Sequence, residues 1–147
     1  MAKTKIFFSF HYDNDVWRTQ IVRHIPQFDR DIEMKPTEWE EIKKKPGAVE
    51  KWIDEQISSA DGVIFLIGSE TANRKYCKQE FKVAIEKKKP TCEIFIHKLE
   101  DKDGKFSTKG QLISSLYSQV PNSHIVYDKT DDYASIKDAL SEFIDKL

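Results

Sequence analysis

Short apolar runs alternate with helically spaced apolar positions along this chain. Ile6-Phe7-Phe8-Ser9-Phe10, entered through Lys5, predicts a first strand. From Asp15 to Ile25, Val16, Trp17, Ile21, Val22 and Ile25 share one predicted helix face, with Asp13 or Asn14 as cap and Pro26 as stop. Asp31-Ile32-Glu33-Met34 predicts a short second strand, and a loop punctuated by Pro36, Pro46 and Gly47 runs from Lys35 to Gly47. Val49, Trp52, Ile53, Ile57 and Ala60 then recur at helical spacing. Gly62 to Gly68 is continuous and apolar, the signature of a strand buried on both faces of a parallel sheet. A helix follows from Arg74 to Lys88, with Cys77, Phe81, Ala84 and Ile85 on one stripe and Lys89-Pro90 as its stop. Thr91 to His97 is β-rich, and the polar stretch Leu99 to Gly110, with Asp103-Gly104 and Lys109-Gly110, reads as a loop or hairpin. Leu112 to Leu116 reads as a short helix and Ser123 to Tyr127 as a last strand. A final helix, Asp131 to Leu147, sets Tyr133, Ile136, Leu140, Phe143 and Leu147 on one side.

Strands alternating with helices predict an α/β fold: five parallel strands with helices on both faces. The chain has 147 residues, the size of one domain spanning 1–147. Its 24 basic and 25 acidic residues leave a net charge of −1, which argues against a nucleic-acid partner held by phosphate contacts. Two cysteines, Cys77 and Cys92, are too few for a disulfide scaffold and too far apart for a metal-type pair. No apolar run approaches a membrane span and no signal peptide is visible, so a soluble cytoplasmic protein is expected.

In such a sheet ligands bind beyond the carboxyl ends of the strands. Those positions carry Ser9-Phe10-His11-Tyr12-Asp13, Lys35 to Trp39, Gly68-Ser69-Glu70-Thr71 and His97-Lys98. Several chemistries are absent there. There is no glycine-rich dinucleotide fingerprint, no phosphate loop, no phospho-acceptor Asp after Ile67 and no nucleophile elbow. His11 and His97, at neighbouring strand ends, lack a spaced carboxylate, so no metal is expected.

What remains is Tyr76 and Glu80, four residues apart on one helix face, with Glu80 at the margin of the buried stripe. A carboxylate there can be partly dehydrated and can meet a flat ligand beside a ring. The plainer reading is a solvated Glu and a Tyr covering core. Ser9, Phe10 and His11 form a second group, able to stack on and hydrogen-bond a base. Alternatively Phe8 and Phe10 are core by period two, while Ser9 and His11 face a helix. Trp39, inside Glu38-Trp39-Glu40-Glu41, is either a lid or contact residue or a satellite of the core. Lys43 to Lys45 and Lys87 to Lys89 read as solvated runs.

Together these segments resemble TIR domains. Ile6-Phe7-Phe8-Ser9-Phe10 is similar to the first TIR box. Ser69 followed by Tyr76-Cys77-Lys78-Gln79-Glu80 is similar to the TIR pattern of Ser, then Trp-Cys-x-x-Glu, with Tyr in place of Trp. The resemblance is greatest to the bacterial TIR-like family that includes ThsB of Thoeris antiphage systems. It extends through Phe7 to Tyr12, the Trp39-Glu40 pair, Leu66 to Arg74 and the Asp101 to Gly110 loop. It implies a flavodoxin-like five-stranded sheet and cleavage of the nicotinamide–ribose bond of NAD+, which is substrate rather than cofactor. Glu80 matches the essential glutamate, and Tyr76 the stacking Trp. Ser9, Phe10 and His11 match the pocket wall, with Ser69 and Trp39 beside it. The product would be an ADP-ribose-derived signal, cyclic or conjugated, that activates a partner effector; a homo-oligomer stays open. Two alternatives stand beside it: a non-catalytic TIR-type interaction module, and a nucleoside-type transferase of similar fold. One departure is Gln111-Leu112-Ile113-Ser114, where the family often carries an Asn-Pro segment. It bears on product choice more than on fold.

Overall fold

Continuous apolar sequence makes the central strand, and the rest of the sheet assembles around it. The computed structural model describes residues 5–10, 17–18, 21–22 and 47–147. β1 is Ile6–Ser9, α1 Ala48–Ser59, β2 Gly62–Ile67, α2 Lys75–Glu86, β3 Thr91–Phe95, β4 Ile125–Tyr127 and α3 Tyr133–Asp145. Short 3-10 helices lie at Thr71–Asn73 and Ser114–Leu116. The described strands form one sheet in the order β1-β2-β3-β4, every pairing parallel. This is the α/β, flavodoxin-like arrangement anticipated. Four of the five expected strands are among the described residues, and the candidate at 31–34 lies outside them.

Side-chain alternation divides the core in two. Ile6, Phe8 and Phe10 with Ile64, Leu66, Cys92, Ile94 and Ile96 pack on one sheet face against Val22 and α3, through Ile136, Leu140 and Phe143. Phe7 with Val63, Phe65, Ile67 and Phe95 pack on the other face against α1 and α2, through Ile53, Ile57, Cys77 and Phe81. Helices therefore cover both faces. Each large side chain buried this way contributes about 1.5–3 kcal/mol, which is why period-two strands and 3.6-period helices lock to one another.

Three details differ from the sequence pattern. Trp17, expected on the buried face of its helix, is 51% exposed, while Arg18 is buried. The reason is polar: Arg18 donates from Nε to the Leu99 carbonyl at 2.8 Å and from Nη2 to the Lys105 carbonyl at 3.0 Å. Those bonds satisfy the guanidinium inside the protein and brace the 99–105 segment. Tyr133 and Leu147, assigned to the buried side of the final helix, are exposed, the first at its start and the second past its end. The last strand shrinks to three residues.

Beneath α2 a buried polar network fixes the segment after Gly110. Glu93, on β3, is fully buried. Its carboxylate accepts the Ile113 N–H at 2.7 Å and the more distant Ser114 N–H, and meets His124 Nε2 at 2.8 Å. A carboxylate only accepts, so His124 donates from Nε2, and its Nδ1 lies 2.7 Å from the Thr91 hydroxyl. The His124 ring also stands edge-on to Phe81. Among the described residues no helix is long and apolar enough to cross a membrane.

Candidate active site

Two strand ends and one helix start build the site. After β2 the chain turns at once: the Gly68 N–H donates to Thr71 Oγ1 at 2.8 Å, and that hydroxyl donates back to the Leu66 carbonyl at 3.2 Å. This side-chain clamp ends the strand and starts the 3-10 turn that leads into α2. At the α2 N-cap position, Arg74 donates from Nη1 to the Phe10 carbonyl at 2.5 Å. The start of α2 is thereby tied to the end of β1. The first two turns of α2 then carry Tyr76, Cys77 and Glu80.

Glu80 is only 3% exposed. Burial pushes its carboxyl up to about 7, a shift that the Ser9 hydroxyl and the Arg74 guanidinium partly offset. Ser9, at the end of β1, faces the carboxylate without closing a full hydrogen bond. Both Ser9 Oγ and Glu80 Oε2 are buried without a hydrogen-bond partner among the described residues. A buried carboxyl oxygen in that condition costs free energy, and such costs cluster where a ligand supplies the missing contact. Cys77, next to Glu80, is held as a thiol: burial and the neighbouring carboxylate push it up to about 12. It is therefore no nucleophile at neutral pH.

The remaining sequence candidates fall out as follows. Ser69 is half-buried just past β2. Tyr76 is half-buried against the core of its face, with Lys75 Nζ 5.5 Å from its ring centre. The Phe10 ring packs in the opposite core cluster, as period-two alternation predicts, and its carbonyl serves Arg74. His11 and Trp39 lie outside the described residues. Arg74, Thr71 and Gly110 appeared in the sequence only within longer segments, and the contacts they make here were not anticipated. An ideal Cβ on Gly110 would stand 1.9 Å from the Gly68 carbonyl oxygen, so the 109–110 segment is pressed onto the β2 exit. The glycine was visible as loop punctuation, but its partner belongs to a distant part of the chain. Among the described residues no group of three or more His, Cys, Asp or Glu side chains could hold a metal ion.

The chemically distinctive feature of this arrangement is one buried carboxyl with an unpartnered oxygen at the strand ends. Residues 7–101 match a family described as "Thoeris protein ThsB, TIR-like domain". The chain belongs to the ThsB TIR-like family. The matched stretch takes in Ser9, Ser69, Tyr76 and Glu80 and stops short of Lys109 and Gly110. One relative is a Bacillus cereus (strain MSX-D12) protein provisionally named cyclic ADP-D-ribose synthase ThsB1. It is 31% identical over 116 residues, which cover 75% of this chain. The chain spans 60% of the length of that ThsB relative.

Proposed function

We propose that this chain cleaves the nicotinamide–ribose bond of NAD+ and makes a cyclic ADP-ribose-type signal that activates a partner effector in antiphage defence. The observation that carries the reading is Glu80: a buried carboxyl with an unpartnered oxygen, set between Ser9 and Arg74 at the strand ends. Membership of the ThsB TIR-like family supports it, and the name of the Bacillus relative supports cyclisation as the second half of the reaction. Free, buried Cys77 and Cys92 suit the reducing cytoplasm.

The chemistry follows from charge. The nicotinamide nitrogen of NAD+ is cationic, so the bond to C1′ breaks with its electron pair moving to nitrogen and no proton is needed. The ribose is left as an oxocarbenium ion. Ionised Glu80 stabilises that cation in a dehydrated site, where a single charge acts more strongly than in water. Attack on C1′ by an adenine nitrogen or a ribose hydroxyl of the same molecule closes a ring, and a hydroxyl then loses its proton. Water would give ADP-ribose instead. Tyr76, four residues before Glu80 on α2, is the ring we assign to stacking on the departing nicotinamide.

The test is to incubate the protein with NAD+, alone and in extract from phage-infected cells, and to follow free nicotinamide and the ribosyl product together. Release by the wild type and none by Glu80→Gln is the expected result. Nicotinamide release that survives in a folded Glu80→Gln protein would overturn the assignment.

A further inference from the structure

The carboxyl end of β3 carries a second polar group, distinct from the site around Glu80. Lys109 is exposed, and its Nζ stands 4.5 Å above the ring of Phe95, the last residue of β3. His97, two residues further on, is buried, and its Nδ1 has no hydrogen-bond partner among the described residues. Burial and the positive charges of Lys109, Lys98 and Arg18 hold that imidazole below its ordinary value, with Asp131 pulling the other way. Lys109 and Lys98 follow the end of β3 in the chain and, with Arg18, act on His97 as positive charges.

The position of Lys109 is set by its neighbour. Gly110 lies against the Gly68 carbonyl and Ser69. Ile67 pairs with Phe95, and the Ile96 N–H donates to the Ile67 carbonyl at 3.0 Å. Lys109 is thus held over the adjoining ends of β2 and β3. Ser9, which faces Glu80, ends β1, two strand spacings away, roughly 10 Å. A dinucleotide lying across the strand ends with its C1′ at Glu80 carries its diphosphate one ribose further along. The diphosphate is the anionic part of that ligand.

We infer that Lys109 binds the diphosphate of the dinucleotide, and that the Gly110–Gly68 contact sets where its ammonium stands. This rests on the NAD+ reading above and deepens it. Lys109 acts as a point charge on an exposed side chain, its ammonium standing over the Phe95 ring.

The experiment measures binding of ADP-ribose and of uncharged adenosine to the wild type, Lys109→Met and Lys109→Arg by titration, with NAD+ turnover of the wild type followed separately. Lys109 is exposed, so both variants are expected to fold. Lys109→Met should weaken ADP-ribose binding about ten- to hundredfold, the range of one charge-assisted hydrogen bond. Adenosine binding should not change, and Lys109→Arg should retain most of the affinity. Equal ADP-ribose affinity in Lys109→Met, or no ADP-ribose binding by the wild type, overturns the inference. The expected pattern in a wild type that never turns over NAD+ would support the diphosphate site and count against the NAD+ reading instead.

Discussion

The carbonyl oxygen of Gly68 occupies the space that a side chain on Gly110 would need: an ideal Cβ there would sit 1.9 Å from it. Through this contact the loop after β3 is pressed onto the exit of β2, next to Ser69. A Cβ cannot share that space with a backbone atom, so one segment must move. Gly110→Ala should cost about 1–3 kcal/mol of stability. It should also lower NAD+ turnover, because the displaced loop carries Lys109. Chemical denaturation and a turnover assay on the same preparation check both, and unchanged values in each would show that the loop adapts freely.

Glu80 links stability to pH. Its ordinary value is 4.5 and burial raises it to about 7 in the folded protein, so the fold favours the protonated form. The stability held by this group is full below about pH 4.5, declines as the pH rises, and is lost above about 7. The difference is about 3 kcal/mol. Glu80→Gln removes the charge that must otherwise be buried. It should therefore melt several degrees above the wild type at pH 8 and close to it at pH 5. Catalysis should run the other way, with kcat/KM of the wild type rising through pH 7 as the carboxylate ionises. A melting difference independent of pH would show that Glu80 is not the buried titrating group.

Tyr76 is half-buried against the core and lies four residues before Glu80 on α2. Removing its ring by Tyr76→Ala should lower NAD+ turnover about tenfold through lost stacking. It should also cost about 1–3 kcal/mol of stability through lost packing. Tyr76→Trp keeps a flat ring and should retain turnover. Measuring both variants at matched folded fraction separates stacking from packing: equal loss of turnover in both would leave Tyr76 as a packing residue.

The Glu93–His124 pair is buried, and both backbone N–H groups at Ile113 and Ser114 depend on the same carboxylate. Glu93→Ala would leave those donors and the imidazole without an acceptor. It should destabilise the protein by about 3–5 kcal/mol, read as a drop in the denaturation midpoint. A loss under 1 kcal/mol would mean that water enters and replaces the carboxylate.

The elements themselves were legible in the chain because their signals are local. The apolar run Val63 to Ile67 has the pattern of a strand buried on both sides, and the stripes Val49-Ile53-Ile57 and Cys77-Phe81-Ala84 that of helices lying on it. The place of Glu80 at the margin of its stripe followed from helical spacing alone. Whether that margin is wet or dry did not follow, because the answer depends on Ser9 and on an arginine that reaches back to the Phe10 carbonyl. Helical spacing placed Trp17 on the buried face and said nothing of Arg18. In the tertiary structure Trp17 is exposed and Arg18 is buried, since two carbonyls of the 99–105 segment receive the guanidinium. Glu93 inside a β-rich run, and Gly110 in a polar loop, carry no mark in the sequence of what they touch. Their partners come from strands and loops that only folding brings within hydrogen-bond or van der Waals reach. Periodicity therefore determined the sheet, its helices and the helix face that carries Glu80. The dryness of the site, the anchoring of its loops and the position of Lys109 were decided by contacts between distant segments.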